Sequence, residues 1–247
     1  MAVPRTPPDN GDTPGMKRAQ LERLAGRAAD PRDPTTISYH AFLEWADEDT
    51  LAEWVNGKIE VSSPAGLRHQ QLVQFLSRLL AAYVETYDLG SIVLPPFQMK
   101  LPGSGREPDL LFIAKERQDR VRDGFLDGPA DLVVEIISPE SSSRDRITKL
   151  AEYEHGGIPE YWLIDPRARG KASFYQRTAQ GRYDTMLTAR KGMYYSKAIR
   201  GLWLDLAWLW QKPLPDLEDT LLAVAGQAYA EVLLSRLRAR GFLPPEP

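Results

Sequence analysis

The run DLVVEIIS, residues 131–138, restricts the fold more than any other stretch of this chain. As a strand it sets Val133, Glu135 and Ile137 on one face and Leu132, Val134 and Ile136 on the other. Both faces are apolar apart from Glu135, so the strand belongs inside a sheet that is covered on both sides. An ionised Glu135 there costs several kcal/mol, in order of magnitude, unless a cation stands beside it. The carboxylate therefore reaches a sheet edge, pairs with a core Arg, or ligates a metal ion.

A second carboxylate stands in REPDLLFIA, residues 106–114. Leu110 to Ala114 reads as a short buried strand with Asp109 at its mouth. Pro108 has a fixed φ and no N–H, which suits the start of a strand. Asp109 is either a turn residue or a ligand, and it precedes Glu135 by 26 residues. Antiparallel neighbours joined by the polar loop KERQDRVRDGFLDGPAD would bring the two carboxylates together. Two oxygen ligands completed by waters and a substrate phosphate make a Mg²⁺ site. Lys149 lies on the helix that follows, on one face with Arg146 and Tyr153. That face either points back at the strand end or carries solvated helix charge.

The remaining elements follow from period and punctuation. SPAGLRHQQLVQFLSRLLAAYVETYDLG carries Leu72, Phe75, Leu76, Leu79, Leu80, Tyr83 and Tyr87 at helical spacing, starting at Ser63-Pro64 and stopping at Gly90. SYHAFLEWADED predicts a short helix capped by Ser38, and EWVNGKIEV a hairpin around Asn56-Gly57. Strands are expected at about 91–101, 109–114 and 131–137, then the helix ITKLAEYEH closed by Gly156-Gly157. The strand EYWLIDP, two more strands at about 172–177 and 182–188, and a helix over about 216–240 complete the pattern. This order predicts an α/β or α+β sandwich, a mixed sheet with helices packed on it. Residues 1–36, with six prolines, read as a flexible extension in which MKRAQLERLAGRAAD forms at most a marginal helix. The expected division is 1–36 as extension, 37–210 as the domain, and 211–247 as a helical tail.

Composition narrows the chemistry. The chain has 247 residues and no cysteine, which excludes disulfides, zinc-thiolate sites and Cys nucleophiles. No apolar run approaches a membrane span, and the start lacks a signal-peptide core, so a cytoplasmic location is expected. A formal net charge of −3 means that any nucleic acid would be met by a local basic patch.

WVNGKIEVSSP…HQ, REPDLLFI, ADLVVEIISPESSSRDRITKLAEYEHGGIPEYWLIDP and IRGLWLDLAWL resemble the Uma2 family of the PD-(D/E)XK nuclease superfamily, over about residues 37–210. The resemblance implies a restriction-endonuclease-like mixed sheet flanked by helices, and a metal-dependent endonuclease that hydrolyses DNA. Asp109 matches the Asp of the motif and Glu135 its (D/E). The Lys position two residues after the Glu holds Ile137, and the family's cation on the following helix falls on Lys149. Asp109 and Glu135 are then expected to hold Mg²⁺ or Mn²⁺ together with the carbonyl of Ile136. Lys149 is expected to orient or deprotonate the attacking water, or to stabilise phosphate charge. A further acidic ligand is expected on the first long helix of such proteins, but only Glu85 lies there, so Glu53 or Glu60 on the hairpin substitutes. His69 either touches a phosphate or is a structural hydrogen-bonder, and Tyr153 either assists Lys149 or builds core. Enzymes of this fold cut both strands by dimerising, so a homodimer acting on DNA is expected. The alternative is a non-catalytic nucleic-acid-binding or assembly module that keeps the fold. A glycosidase-type carboxylate pair would not need Lys149.

Overall fold

The computed structural model describes residues 29–30, 33–46, 52–61, 65–138, 143–167 and 170–244; the expected helix MKRAQLERLAGRAAD and the Ser63-Pro64 start signal fall largely outside them. A short pair, β1 (Ala29–Asp30) and β2 (Asp33–Ile37), leads into α1 (Tyr39–Trp45) and the strands β3 (Ala52–Val55) and β4 (Lys58–Val61). Then come α2 (Leu67–Thr86), β5 (Gly90–Val93), β6 (Gln98–Leu101), β7 (Ser104–Arg106) and β8 (Leu110–Ala114). A 3-10 turn at Lys115–Arg120 and β9 (Phe125–Asp127) precede β10 (Leu132–Ile136), α3 (Ser143–Gly156) and β11 (Glu160–Ile164). The strands β12 (Ala172–Arg177), β13 (Tyr183–Ala189), β14 (Met193–Tyr195) and β15 (Trp203–Asp205) follow, and then α4 (Leu217–Ala239).

The main sheet has the order β13-β12-β11-β10-β8-β5, which puts β10 inside it. β10 runs parallel to β11, with Glu135 opposite Leu163, and antiparallel to β8, with Val134 opposite Leu110. The two-faced pattern of DLVVEIIS has the expected outcome. Leu132, Val134 and Ile136 join the cluster built by Leu72, Phe75, Leu76, Leu79 and Leu80 of α2. Val133 joins the opposite cluster, which includes Tyr153 of α3 and Tyr161 of β11. Each fully buried Leu or Val contributes about 1.5–3 kcal/mol, so the two helical layers fix which face of β10 each side chain occupies. The first half of α4 adds Leu221, Val224 and Ala225 to the α2 cluster before the backbone kinks at Gly226, where φ is 54°.

Two features depart from the sequence expectation. The single strand expected over 91–101 is two strands, β5 in the main sheet and β6 in a second sheet ordered β4-β3-β7-β6-β9. Pro95 and Pro96 lie between them and supply no ladder donors, so pairing must stop and restart. The loop between β8 and β10 is not plain coil, because β9 pairs in parallel with β6 and Leu126 is fully buried. The hairpin forms as expected, with Asn56 and Gly57 at φ 48° and 84°, the left-handed values that this turn requires. Ser38 caps α1 by accepting the Ala41 N–H at 3.2 Å.

Ile37 is buried, and its N–H donates to the Gly57 carbonyl at 2.9 Å, while its own carbonyl accepts from Trp54. A chain shortened to begin at Thr36 keeps these contacts. It is expected to melt within about 4 °C of the full chain, a shift worth roughly 1 kcal/mol at this size. A larger drop in a thermal scan would mean that residues before Thr36 contribute to the core.

Candidate active site

Three elements converge at one end of β10. The antiparallel register that sets Leu110 opposite Val134 carries Asp109 alongside Glu135. The Asp109 carboxylate accepts the N–H of Ile136 at 2.6 Å, which ties the mouth of β8 to β10. From α3, Lys149 Nζ donates to Glu135 Oε1 at 3.0 Å, and the Tyr153 hydroxyl donates to the same oxygen at 2.6 Å. Lys149 and Tyr153 are one turn apart, so a single helix face delivers both groups. Of the two readings of that face, Lys149 and Tyr153 follow the one that points back at the strand end.

The hairpin closes the cluster. Glu53, on β3, accepts Lys149 Nζ at 3.2 Å through Oε1 and Arg106 Nη1 at 2.7 Å through Oε2. Arg106 is 1% exposed and also reaches Glu60 at 3.2 Å and Glu152 at 2.6 Å. The two acidic candidates on the hairpin thus separate: Glu53 touches Lys149, whereas Glu60 is half exposed at the outer side of Arg106. His69, in the first turn of α2, lies 3.1 Å from Asp109 through Nε2, and its buried Nδ1 has no hydrogen-bond partner among the described residues. Tyr153 both builds core, with no exposed surface, and touches Glu135.

Burial pushes the Glu135 carboxyl up to about 7; Lys149 pulls it down, and the negative charges of Asp109 and Glu53 push it up again. Burial opposes the Lys149 ammonium, but Glu135 and Glu53 outweigh it and hold the amine well above its ordinary value. Burial likewise opposes ionisation of Glu53, and Lys149 and Arg106 together overcome it, leaving Glu53 below the usual carboxylate range. For His69, burial is outweighed by Asp109, with Glu135 and the Ile136 backbone adding to it, so the imidazole is more basic than usual. Glu107, half-buried beside Glu53, is raised to about 7, chiefly by its partial burial. The cluster is rich in carboxylates and favours positive charge.

Its donor chemistry suits a hard divalent ion. Asp109 and Glu135 offer oxygen ligands, and the charge of Asp109 opposes that of Glu135 even with Lys149 beside it, so a further cation would favour both. Among the described residues no group of three or more His, Asp or Glu side chains is arranged to hold an ion. A metal here would therefore take two protein carboxylates and fill its remaining positions with backbone, water or substrate oxygen.

Sequence reasoning did not find the Arg106 network, although Arg106 opens the REPD run. The signal was a charged residue at the end of a strand whose other members are small. Ile137 is buried, and its N–H donates to the Ile164 carbonyl, so no cation arises from that position.

The family model Uma2, described as "Putative restriction endonuclease", matches residues 39–207. A solved structure described as "a putative nuclease belonging to DUF820 from Anabaena variabilis ATCC 29413" superposes with a TM-score of 0.60 at 17% identity. The match covers 70% of this chain and 97% of that one. At that identity the likeness speaks for the fold alone. No curated protein matches the chain. No helix among the described residues is long and apolar enough to cross a membrane.

Proposed function

We propose that this chain, which belongs to the Uma2 family, is a metal-dependent endonuclease that hydrolyses the phosphodiester bonds of DNA. The family and the fold are those of restriction-endonuclease-like nucleases. The observation that carries the finer reading is the meeting of Asp109, Glu135 and Lys149. They come from a strand mouth, a central strand and a helix: Lys149 bonds Glu135 directly, and Asp109 accepts the N–H of Ile136, the residue next to Glu135. A structural ion pair needs one carboxylate, and a surface charge needs none.

In this mechanism Asp109 and Glu135 would hold Mg²⁺ or Mn²⁺ together with the Ile136 carbonyl. The bound ion would lower the pKa of water and offset charge on the phosphoryl oxygens. Asp109 is aimed by the Ile136 N–H and by His69, which leaves its second oxygen for the ion. Lys149 orients the attacking water or neutralises phosphate charge, and a positioned ammonium in a partly enclosed site does this better than one in water. Tyr153 holds Glu135 in place by its hydroxyl. Cutting both strands of a duplex requires two such centres, which a two-fold homodimer in the cytoplasm would supply.

A non-catalytic assembly or nucleic-acid-binding module is the second reading, favoured by the engagement of Lys149 with two carboxylates and by the net charge of −3. Incubating the protein with supercoiled plasmid and Mn²⁺ or Mg²⁺, beside Asp109→Ala, separates the two. The wild type is expected to nick the plasmid, and the variant to lose both nicking and Mn²⁺ affinity in a calorimetric titration. The variant is expected to stay folded while losing about 1–3 kcal/mol from the orphaned Ile136 N–H. Undiminished Mn²⁺ affinity in the variant would remove Asp109 from the site.

A further inference from the structure

Both oxygens of Glu53 are in use. Oε2 takes the Arg106 guanidinium at 2.7 Å, and Oε1 takes Lys149 Nζ and the Glu107 N–H, each at 3.2 Å. Arg106 in turn is fixed from the far side by Glu152, which binds Nε and Nη2 as a fork at 2.6–3.2 Å. A guanidinium clasped in this way has little freedom, because its planar donors match a carboxylate edge on each side. Lys149 stands between Glu53 and Glu135, nearly equidistant from them.

We infer that Glu53 is the anchor of Lys149 and not a third metal ligand, and that Arg106 is the positioning residue that aims this anchor. The inference rests on the metal-site reading of Asp109 and Glu135. A divalent ion at Glu135 would compete with the ammonium for the same carboxylate, and an ammonium with no second partner would swing away from the phosphate. Glu53 keeps it at the centre. This arrangement lets a lysine on a helix replace the one missing at Ile137, since its flexible stem is restrained by a carboxylate and not by a strand.

The test compares Glu53→Gln with Glu60→Gln. Both side chains touch Arg106, but only Glu53 touches Lys149. Two readouts are independent of cleavage: Mn²⁺ affinity by calorimetry, and acetylation of Lys149 by acetic anhydride, followed by mass spectrometry with Mn²⁺ or EDTA present. Glu53→Gln is expected to keep Mn²⁺ affinity within about threefold, because Glu53 bonds neither Asp109 nor Glu135 directly, whereas loss of a ligand or of a group bonded to one costs about tenfold or more. Lys149 in that variant is expected to acetylate about tenfold faster with Mn²⁺ present, the factor corresponding to one charged hydrogen bond. Glu60→Gln is expected to change neither. A tenfold loss of Mn²⁺ affinity in Glu53→Gln would make Glu53 a ligand and overturn the inference, as would an acetylation rate equal to that of the wild type or matched by Glu60→Gln. Absence of Mn²⁺ binding by the wild type would instead sink the metal-site reading. The anchor is then judged from the EDTA rates alone, where faster acetylation confined to Glu53→Gln supports it and equal rates reject it.

Discussion

Lys149→Met is expected to lose plasmid cleavage by about a hundredfold or more while binding Mn²⁺ at least as tightly as the wild type. The methylene stem survives and keeps its packing, so the change isolates the charge. Lys149 Nζ sits 3.0 Å from Glu135 and 3.2 Å from Glu53 in a largely buried position. Without it Glu135 has no cation among the described residues, and breaking a buried pair in this one-sided way costs about 3–5 kcal/mol. The lower end is expected, because Glu53 retains Arg106 and Glu135 retains the Tyr153 hydroxyl. The loss should be largest in EDTA at high pH, where Glu135 is ionised, and should shrink when Mn²⁺ takes the place of the ammonium. Nicking assays, calorimetric titration and melting curves of the same preparation measure all three effects. Nicking at the wild-type rate would show Lys149 to be a structural counter-ion only.

Glu135→Gln should act in the opposite direction on the metal-free protein and stabilise it above neutral pH. The sign follows from linkage. The Glu135 carboxyl is raised to about 7 in the folded protein from an ordinary value of 4.5, with burial as the main cause. The folded state therefore holds its proton more tightly, and this contribution to stability is present below the unfolded value and lost as pH climbs towards 7. Gln removes the titration and accepts the Tyr153 hydroxyl in nearly the same shape. It forfeits the attraction of Lys149, which keeps Glu53, so the net gain at pH 8 in EDTA is expected at roughly 1–3 kcal/mol, towards the lower figure. Near pH 5 the two proteins should melt almost together. Mg²⁺ at a hundredfold excess over its Kd should add about 2.7 kcal/mol to the wild type and almost nothing to the variant. If Gln lowered the melting temperature at pH 8 in EDTA, the Lys149 pair would outweigh the burial cost, and Glu135 would be a structural ion-pair residue.

Both effects depend on partners that no local pattern announces. Glu135 stood out because it interrupts an apolar strand, and Asp109 because it stands at the mouth of one behind Pro108; a carboxylate in either place needs a reason. Lys149 stood out through its helix face with Arg146 and Tyr153, but that pattern left a solvated helix charge equally open, and the family resemblance was needed to choose Lys149. His69 lies on the buried stripe of α2 and reads as a core histidine until its contact with Asp109 is visible. Arg106 binds Glu152 across 46 residues, and Lys149 binds Glu53 across 96. Separations of that size are set by how the hairpin and α3 close over the sheet.

What was legible in the residues was whatever short-range physics decides. Two-residue alternation with apolar groups on both faces placed β10 inside the sheet, and helical spacing of Leu72 to Tyr83 gave α2 its buried stripe. Asn56-Gly57 specified the hairpin turn, because both positions require positive φ. The packed chain alone decided that the apolar run at 91–101 divides between two sheets, because Pro95 and Pro96 end one ladder but do not say where the next will find a partner. It alone also decided that one ammonium is shared by Glu53 and Glu135, with Arg106 holding Glu53 from behind. Period and turn chemistry act over a few residues, whereas the energy of a buried charge depends on every charge that packing brings within a few ångströms of it.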